Sequence, residues 1–180
     1  MKEFKDHPEF KPNLSPKQMF KSGSFIDQGG YWRPIYSSVL KKELVDQHKE
    51  FKFLDDIPLE LLISPKKDFK KLNKYGVKAG SSLSDWESKN WIKSQDPYGW
   101  VQWYCRFYSG RRSEDDNRQI QRWLNFAGPK GRFRINLMNK INKKNAKYDD
   151  YSVSPVIRQG LLHWGYELSK SDYENYIKSK

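Results

Sequence analysis

Cysteine is nearly absent from this chain. Cys105 is the only one, so no intrachain disulfide can form, and its apolar neighbours mark a small buried hydrophobe rather than a nucleophile. Histidine is scarce as well: His7, His48 and His163 stand far apart, which supports no zinc site, and the expectation is no metal and no cofactor. No apolar run approaches the ~20 residues that a bilayer span requires, and the segment from Met1 to Phe10 is charged and lacks an apolar signal region. That pattern predicts an intracellular protein, nuclear or cytoplasmic, not secreted and without a membrane partner. Neither a P-loop nor a dinucleotide-binding glycine pattern occurs. Hydrophobic residues make up only 36% of the chain while aromatics reach 16%, so large rings must fill much of the core. Seven tryptophans argue against a disordered chain.

Positive charge is plentiful. Lys and Arg number 34 against 22 Asp and Glu, a net +12, with a pI near 9.6. Such a surface attracts polyanions and makes their binding salt-dependent, although anionic membranes and acidic proteins respond to the same field. Lysine supplies most of the charge, so the nine arginines mark places where a planar, forked, weakly hydrated cation is needed. Seven of the nine fall between Arg106 and Arg134. Trp100, Trp103 and Tyr104 lie just before this stretch, and Phe107, Tyr108 and Trp123 lie within it. Phosphate contact and base stacking call for that mixture; a core helix followed by salt-bridged surface arginines explains it equally well.

At 180 residues the chain is long enough for one domain with a sizeable core. Ser15-Pro16, Ser64-Pro65, Asp96-Pro97 and Ser154-Pro155 each offer a side-chain cap followed by proline at the first helical position. Ser84 with Glu87, Ser113 before three acids, and Ser171 with Glu174 suggest further starts; Gly23, Gly76, Gly110, Gly128 and Gly165 suggest stops. The spacing predicts seven or eight short helices, at roughly 16–22, 65–75, 83–93, 97–109, 114–126, 131–143, 155–164 and 172–179. Residues 24–53 read as extended or irregular, and 142–150 as a polar linker. The expected fold is a mostly α, compact multi-helix single domain over 1–180 with an irregular or short extended N-terminal segment, fraying over 1–14 and 177–180.

The helix opened by Pro97 is apolar around nearly its whole circumference, with Gln102 and Arg106 as the only long polar side chains at its centre. Both need partners: either an internal carboxylate, or a ligand above a polar floor. Beyond Gly110, Arg118 can pair with Glu114 or Asp115 at helical spacing, whereas Arg111, Arg112 and Arg122 have no evident local partner. Gly128-Pro129-Lys130-Gly131 then leads into Arg132 and Arg134. The loop is either a plain helix–helix turn or a place where a backbone closely approaches phosphate. On the next helix Asn136, Asn139, Lys140 and Lys143 form one polar stripe, suited to a recognition helix in a helix-turn-helix-like pair. Tyr31, Trp32 and Trp100 are candidate stacking platforms. His163, beside Leu161 and Leu162, reads as a core histidine before it reads as a general base.

The stretch Gly99-Trp100-Val101-Gln102-Trp103-Tyr104-Cys105-Arg106-Phe107-Tyr108, with Gly110-Arg111-Arg112, Asp115-Asp116, Arg122-Trp123 and His163-Trp164-Gly165-Tyr166, resembles a family of small basic Trp- and Arg-rich proteins of fungi, plants, bacteria and large DNA viruses. The likeness runs from Ser15-Pro16 through Tyr31-Trp32-Arg33-Pro34 to Tyr166. It implies one integral domain with a shared central site and transfers no activity.

The residues therefore predict a nucleic-acid-binding protein, DNA set before RNA, contacted by Arg106, Arg111, Arg112, Arg118, Arg122, Lys130, Arg132, Arg134, Asn136 and Lys140. The alternatives are a metal-independent enzyme acting on nucleic acid, glycosylase- or lyase-like with one Asp and a nearby Lys, and a scaffold docking an acidic protein partner.

Overall fold

The computed structural model describes residues 2–26, 29–63 and 73–180. The helix expected at 65–75, with its Ser64-Pro65 cap, lies outside them except for its end, where the Gly76 amide closes a turn on the Asn73 carbonyl. The fold is mostly α. Helix α1 (Pro16–Lys21) precedes an antiparallel hairpin of β1 (Ile35–Ser37) and β2 (Lys42–Leu44), in which Ile35 pairs with Leu44. Two 3-10 turns (Gln47–Glu50 and Lys52–Leu54) lead to α2 (Leu59–Leu62). Then come α3 (Leu83–Ser88), α4 (Trp100–Tyr108), α5 (Asp116–Phe126), α6 (Arg132–Lys143), α7 (Pro155–Leu162) and α8 (Lys170–Lys178).

Local chemistry sets several of these boundaries. Ser15 and Gln18 form a reciprocal capping box ahead of Pro16, as do Ser82 and Asp85 at the start of α3. Ser169 caps α8 through the Asp172 amide. Each satisfies amides that a helix start leaves free. The caps of α3 and α8 are thus Ser82 and Ser169 rather than the expected Ser84 and Ser171. Helix α5 starts after Asp115 with no side-chain cap from Ser113, and two of the expected caps before proline also act otherwise. Ser154 takes a left-handed conformation and makes no side-chain cap, although Pro155 still opens α7. Asp96 caps nothing: the chain turns through Pro97 and Tyr98, and α4 starts after Gly99, whose φ of 87° a side chain rarely tolerates.

Helix α4 is the centre of the core. All its residues except Arg106 and Tyr108 are buried, and burial pushes the Cys105 thiol well above its usual range. Rings pack on rings throughout: Trp32, Trp103 and Trp123 are fully buried, and Phe10 lies 5.2 Å from Trp123 and 5.5 Å from Trp103. The expected fraying of 1–14 is corrected here. Phe4 and Phe10 are buried against Phe107, and burying two large rings outweighs the polarity of the residues between them. At the other end Lys180 Nζ donates to Asn139 Oδ1 at 3.0 Å.

The Gly128-Pro129-Lys130-Gly131 loop is a tight α5–α6 turn. The Gly131 amide bonds to the Gly128 carbonyl at 2.8 Å. A Cβ at Gly128 would meet the Leu124 backbone at 2.7 Å, and one at Gly131 the Phe126 backbone at 2.6 Å. So tight a turn at the end of α5 therefore requires both glycines.

Candidate functional site

Most of the arginine cluster is turned inward. Asp96, fully buried, accepts from Arg106 Nη1 at 3.0 Å and from Arg111 Nη1 and Nη2 at 2.8 and 2.6 Å. Arg106 also forks onto Glu50 at 2.7 and 2.6 Å. Arg112 donates to Asp6 and lies 3.9 Å over the Phe107 ring. Arg118 grips Asp115, at 2.5 and 2.7 Å, as its spacing predicts. Arg134 pairs with Asp172 at 2.7 Å and covers Tyr166. The structure weighs against the expectation that Arg106, Arg111, Arg112, Arg118 and Arg134 are phosphate contacts: each has a carboxylate partner, although Nε of Arg111 and of Arg134 is buried without a hydrogen bond among the described residues. The polar floor imagined at Gln102 is likewise internal, since Gln102 Oε1 accepts the Tyr98 amide at 3.0 Å.

The recognition-helix and stacking expectations also change. On α6, Asn136 and Lys140 are exposed, but Asn139 accepts from Tyr176 and Lys180 of the C-terminal segment, so α8 lies across part of the stripe. Trp32 is sealed among Phe20, Phe51 and Tyr98. Tyr31 is 5% exposed and its hydroxyl is occupied, donating to the Tyr98 carbonyl and accepting from the Gln102 amide. Trp32 is therefore no free platform, whereas the mostly buried Tyr31 ring still borders the cavity that Arg122 and Arg132 line.

Among the described residues, four cationic candidates from the sequence have no carboxylate partner: Arg122, Lys130, Arg132 and Lys140. Two of them, Arg122 and Arg132, line an open cavity of about 720 Å³, within the size range of small-molecule sites. Its walls come from separate parts of the chain. Helix α5 gives Arg122, Asn125 and Phe126; the start of α6 gives Arg132 and Phe133; α7 and its end give Val156, Gly160, His163 and Trp164. Trp100 comes from α4, and Trp86 and Trp91 from the α3 region. Four of the seven tryptophans therefore face this space. Trp164 stacks on Phe126 at 5.0 Å, Phe126 on Phe133 at 4.0 Å, and Trp100 sits 4.8 Å from Trp164. Trp91, 40% exposed, stands at the rim.

Arg122 is a half-buried cation with no carboxylate partner among the described residues. Nη1 donates to Gln119 Oε1 at 2.8 Å, and the guanidinium lies between the Trp91 and Trp164 rings, at 5.5 and 5.4 Å. Burial, with Arg118 nearby, lowers its pKa to about 10. A desolvated cation without a carboxylate favours an anionic ligand. Arg132 rides 4.8 Å over Phe133, and Lys130 is exposed two residues before it. Among the described residues the cavity lining holds no Asp, Glu or Lys.

Sequence reasoning missed Trp86, Trp91, Trp164, Phe126 and Phe133. One signal was present: Trp86 and Trp91 lie in a mostly polar stretch, 81–95, five residues apart, which puts them on different faces of a helix. Arg132 and Arg134, two residues apart, are expected to behave oppositely. In urea unfolding, Arg132→Ala should shift stability by less than about 0.5 kcal/mol, while Arg134→Ala, which strands Asp172 beside Tyr166, should cost about 2 kcal/mol.

No family model, curated protein or solved structure matches the chain, so the chemistry of the cavity is what there is to read.

Proposed function

We propose that the protein binds nucleic acid by taking an unpaired base into this cavity. The ring stacks among the indoles, and its phosphates meet Arg122 and Arg132. The observation that carries this reading is a tryptophan-walled cavity with two unpaired arginines and no carboxylate among its described lining residues. Aromatic walls alone would also suit an organic cation; two guanidiniums at the same site repel one and select an anion with a flat apolar face. A nucleotide in a strand has both properties, and base–aromatic stacking tolerates every base. The net charge of +12 adds long-range attraction for a polyanion. The glycosylase- or lyase-like alternative needs an Asp and a Lys, neither of which lines the cavity among the described residues. The scaffold alternative relies on arginines that the fold has largely paired.

The test is titration with short single-stranded DNA and RNA, followed by quenching of tryptophan fluorescence. Binding should weaken log-linearly with salt, and Arg122→Ala should weaken it about tenfold, the effect of one charge-assisted hydrogen bond. Gly160→Leu should abolish it while α7 stays folded, because a Cβ at Gly160 meets only the Phe126 ring edge, at 3.8 Å. Absence of binding at low salt overturns the proposal. Free 5′-mononucleotides binding as tightly as oligonucleotides would make the ligand a nucleotide rather than a strand.

A further inference from the structure

The cavity's polar side chains are not all of one kind. Arg122 and Arg132 can only donate, and Asn125, whose Oδ1 already accepts from Gln121 Nε2 at 2.9 Å, presents its amide N–H groups. His163 differs. Its Nε2 lies against the Ser24 carbonyl oxygen, which can only accept, so Nε2 carries the proton and Nδ1 keeps a lone pair. The Ser24 carbonyl also receives the Gln159 amide at 2.9 Å, and the imidazole stacks on Phe25 at 4.8 Å. Gln159 Nε2 also lies 3.4 Å from His163 Nε2, but the nearer Ser24 carbonyl can only accept, so it sets both ring position and tautomer. Nδ1 has no hydrogen-bond partner among the described residues, and the ring lines the cavity. Burial lowers the His163 pKa to about 4, which keeps the ring neutral and Nδ1 an acceptor at neutral pH.

We propose that His163 Nδ1 is a specificity-determining acceptor that takes an N–H from the edge of the bound base, while Arg122 and Arg132 hold its phosphate. This rests on the nucleic-acid reading above and narrows it. The ligand must combine an anion with a ring that bears an N–H donor. Adenine and cytosine offer an amino group, thymine and uracil an imino N–H, and guanine both. An abasic phosphodiester, or an aromatic anion lacking N–H, satisfies only one end. A base presenting an acceptor there would face the His163 lone pair and be disfavoured.

The experiment uses the whole chain with nitrogen-15-labelled histidine and long-range proton–nitrogen spectra. Short single-stranded oligonucleotides are added, with an abasic phosphodiester of equal length as control. In the free protein the His163 Nδ1 resonance should report an unprotonated nitrogen. It should move upfield with the oligonucleotide and stay in place with the abasic strand. His163→Phe, which keeps a flat ring against Phe25, should bind the oligonucleotide about tenfold more weakly, the effect of leaving a buried donor unsatisfied. A protonated Nδ1 in the free protein would overturn the inference. An unmoved Nδ1 resonance with oligonucleotide bound would do the same, and would leave the nucleic-acid reading standing. If the unmodified protein binds no oligonucleotide, that reading falls first and this one with it. Should His163→Phe fail to fold, the nitrogen titration of the unmodified chain decides alone.

Discussion

Asp96→Ala is expected to cost the fold about 3–5 kcal/mol, the range found when one partner of a buried ion pair is removed. Asp96 is fully buried and receives three guanidinium N–H groups, from Arg106 and from Arg111. Without it Arg106 keeps Glu50, but Arg111 loses its only carboxylate among the described residues, where Arg111 Nε is already buried without a partner. The loss is mechanical as well as electrostatic, since this carboxylate joins the loop before α4 to the last turn of that helix and to the turn beyond it. The control is Asp56→Ala, which removes an exposed pair with Lys17 and should cost less than about 1 kcal/mol. Urea midpoints of the two variants give the comparison, and Asp96→Asn, which retains shape and one acceptor, should fall between them. If Asp96→Ala costs no more than Asp56→Ala, the arginines are free to find water. Arg106 and Arg111 would then return as candidate phosphate contacts.

Asp96 also shows how far the sequence could be read. Ser15-Pro16 was legible because everything it does is local: Ser15 and Gln18 cap each other within one turn. The helical content followed from such caps and from apolar spacing, and α4 was recognisable as the central helix because it is apolar all round. Asp96-Pro97 has the same local appearance as Ser15-Pro16, yet its carboxylate turns to arginines 10 and 15 residues on. Periodicity says that a face is buried, not what it is buried against. Arg112 to Asp6, Arg106 to Glu50 and Arg134 to Asp172 are pairings of the same non-local kind. Hence the arginines could be read as a cluster but not sorted into tied and free. The cavity was hidden for the same reason: Trp86 and Trp91 meet Trp164 and Arg122 only after α4 to α7 have packed.

Trp103→Ala carries a comparable loss. Trp103 is fully buried, with Phe107 at 4.9 Å, Phe10 at 5.5 Å and Trp100 at 5.8 Å. Deleting the indole leaves a void that rigid neighbouring rings can close only in part, which costs about 3–5 kcal/mol for a large core aromatic. The polar end adds to this. Trp103 Nε1 donates to Asp116 Oδ1 at 2.8 Å, and the same carboxylate takes the Ser113 hydroxyl and amide at 2.8 and 2.9 Å. The indole thus ties α4 to the first residue of α5, the helix that carries Arg122 and Phe126 into the cavity. Trp103→Phe separates the two contributions, because a smaller ring still fills much of the space while the bond to Asp116 is lost; it should recover more than half of the stability. Oligonucleotide binding by Trp103→Phe should be near that of the unmodified protein under conditions where both are folded, since Trp103 does not line the cavity. An unchanged unfolding midpoint for Trp103→Ala, together with lost oligonucleotide binding, would instead make Trp103 a surface on which the ligand stacks, and the core assignment of α4 would have to be given up.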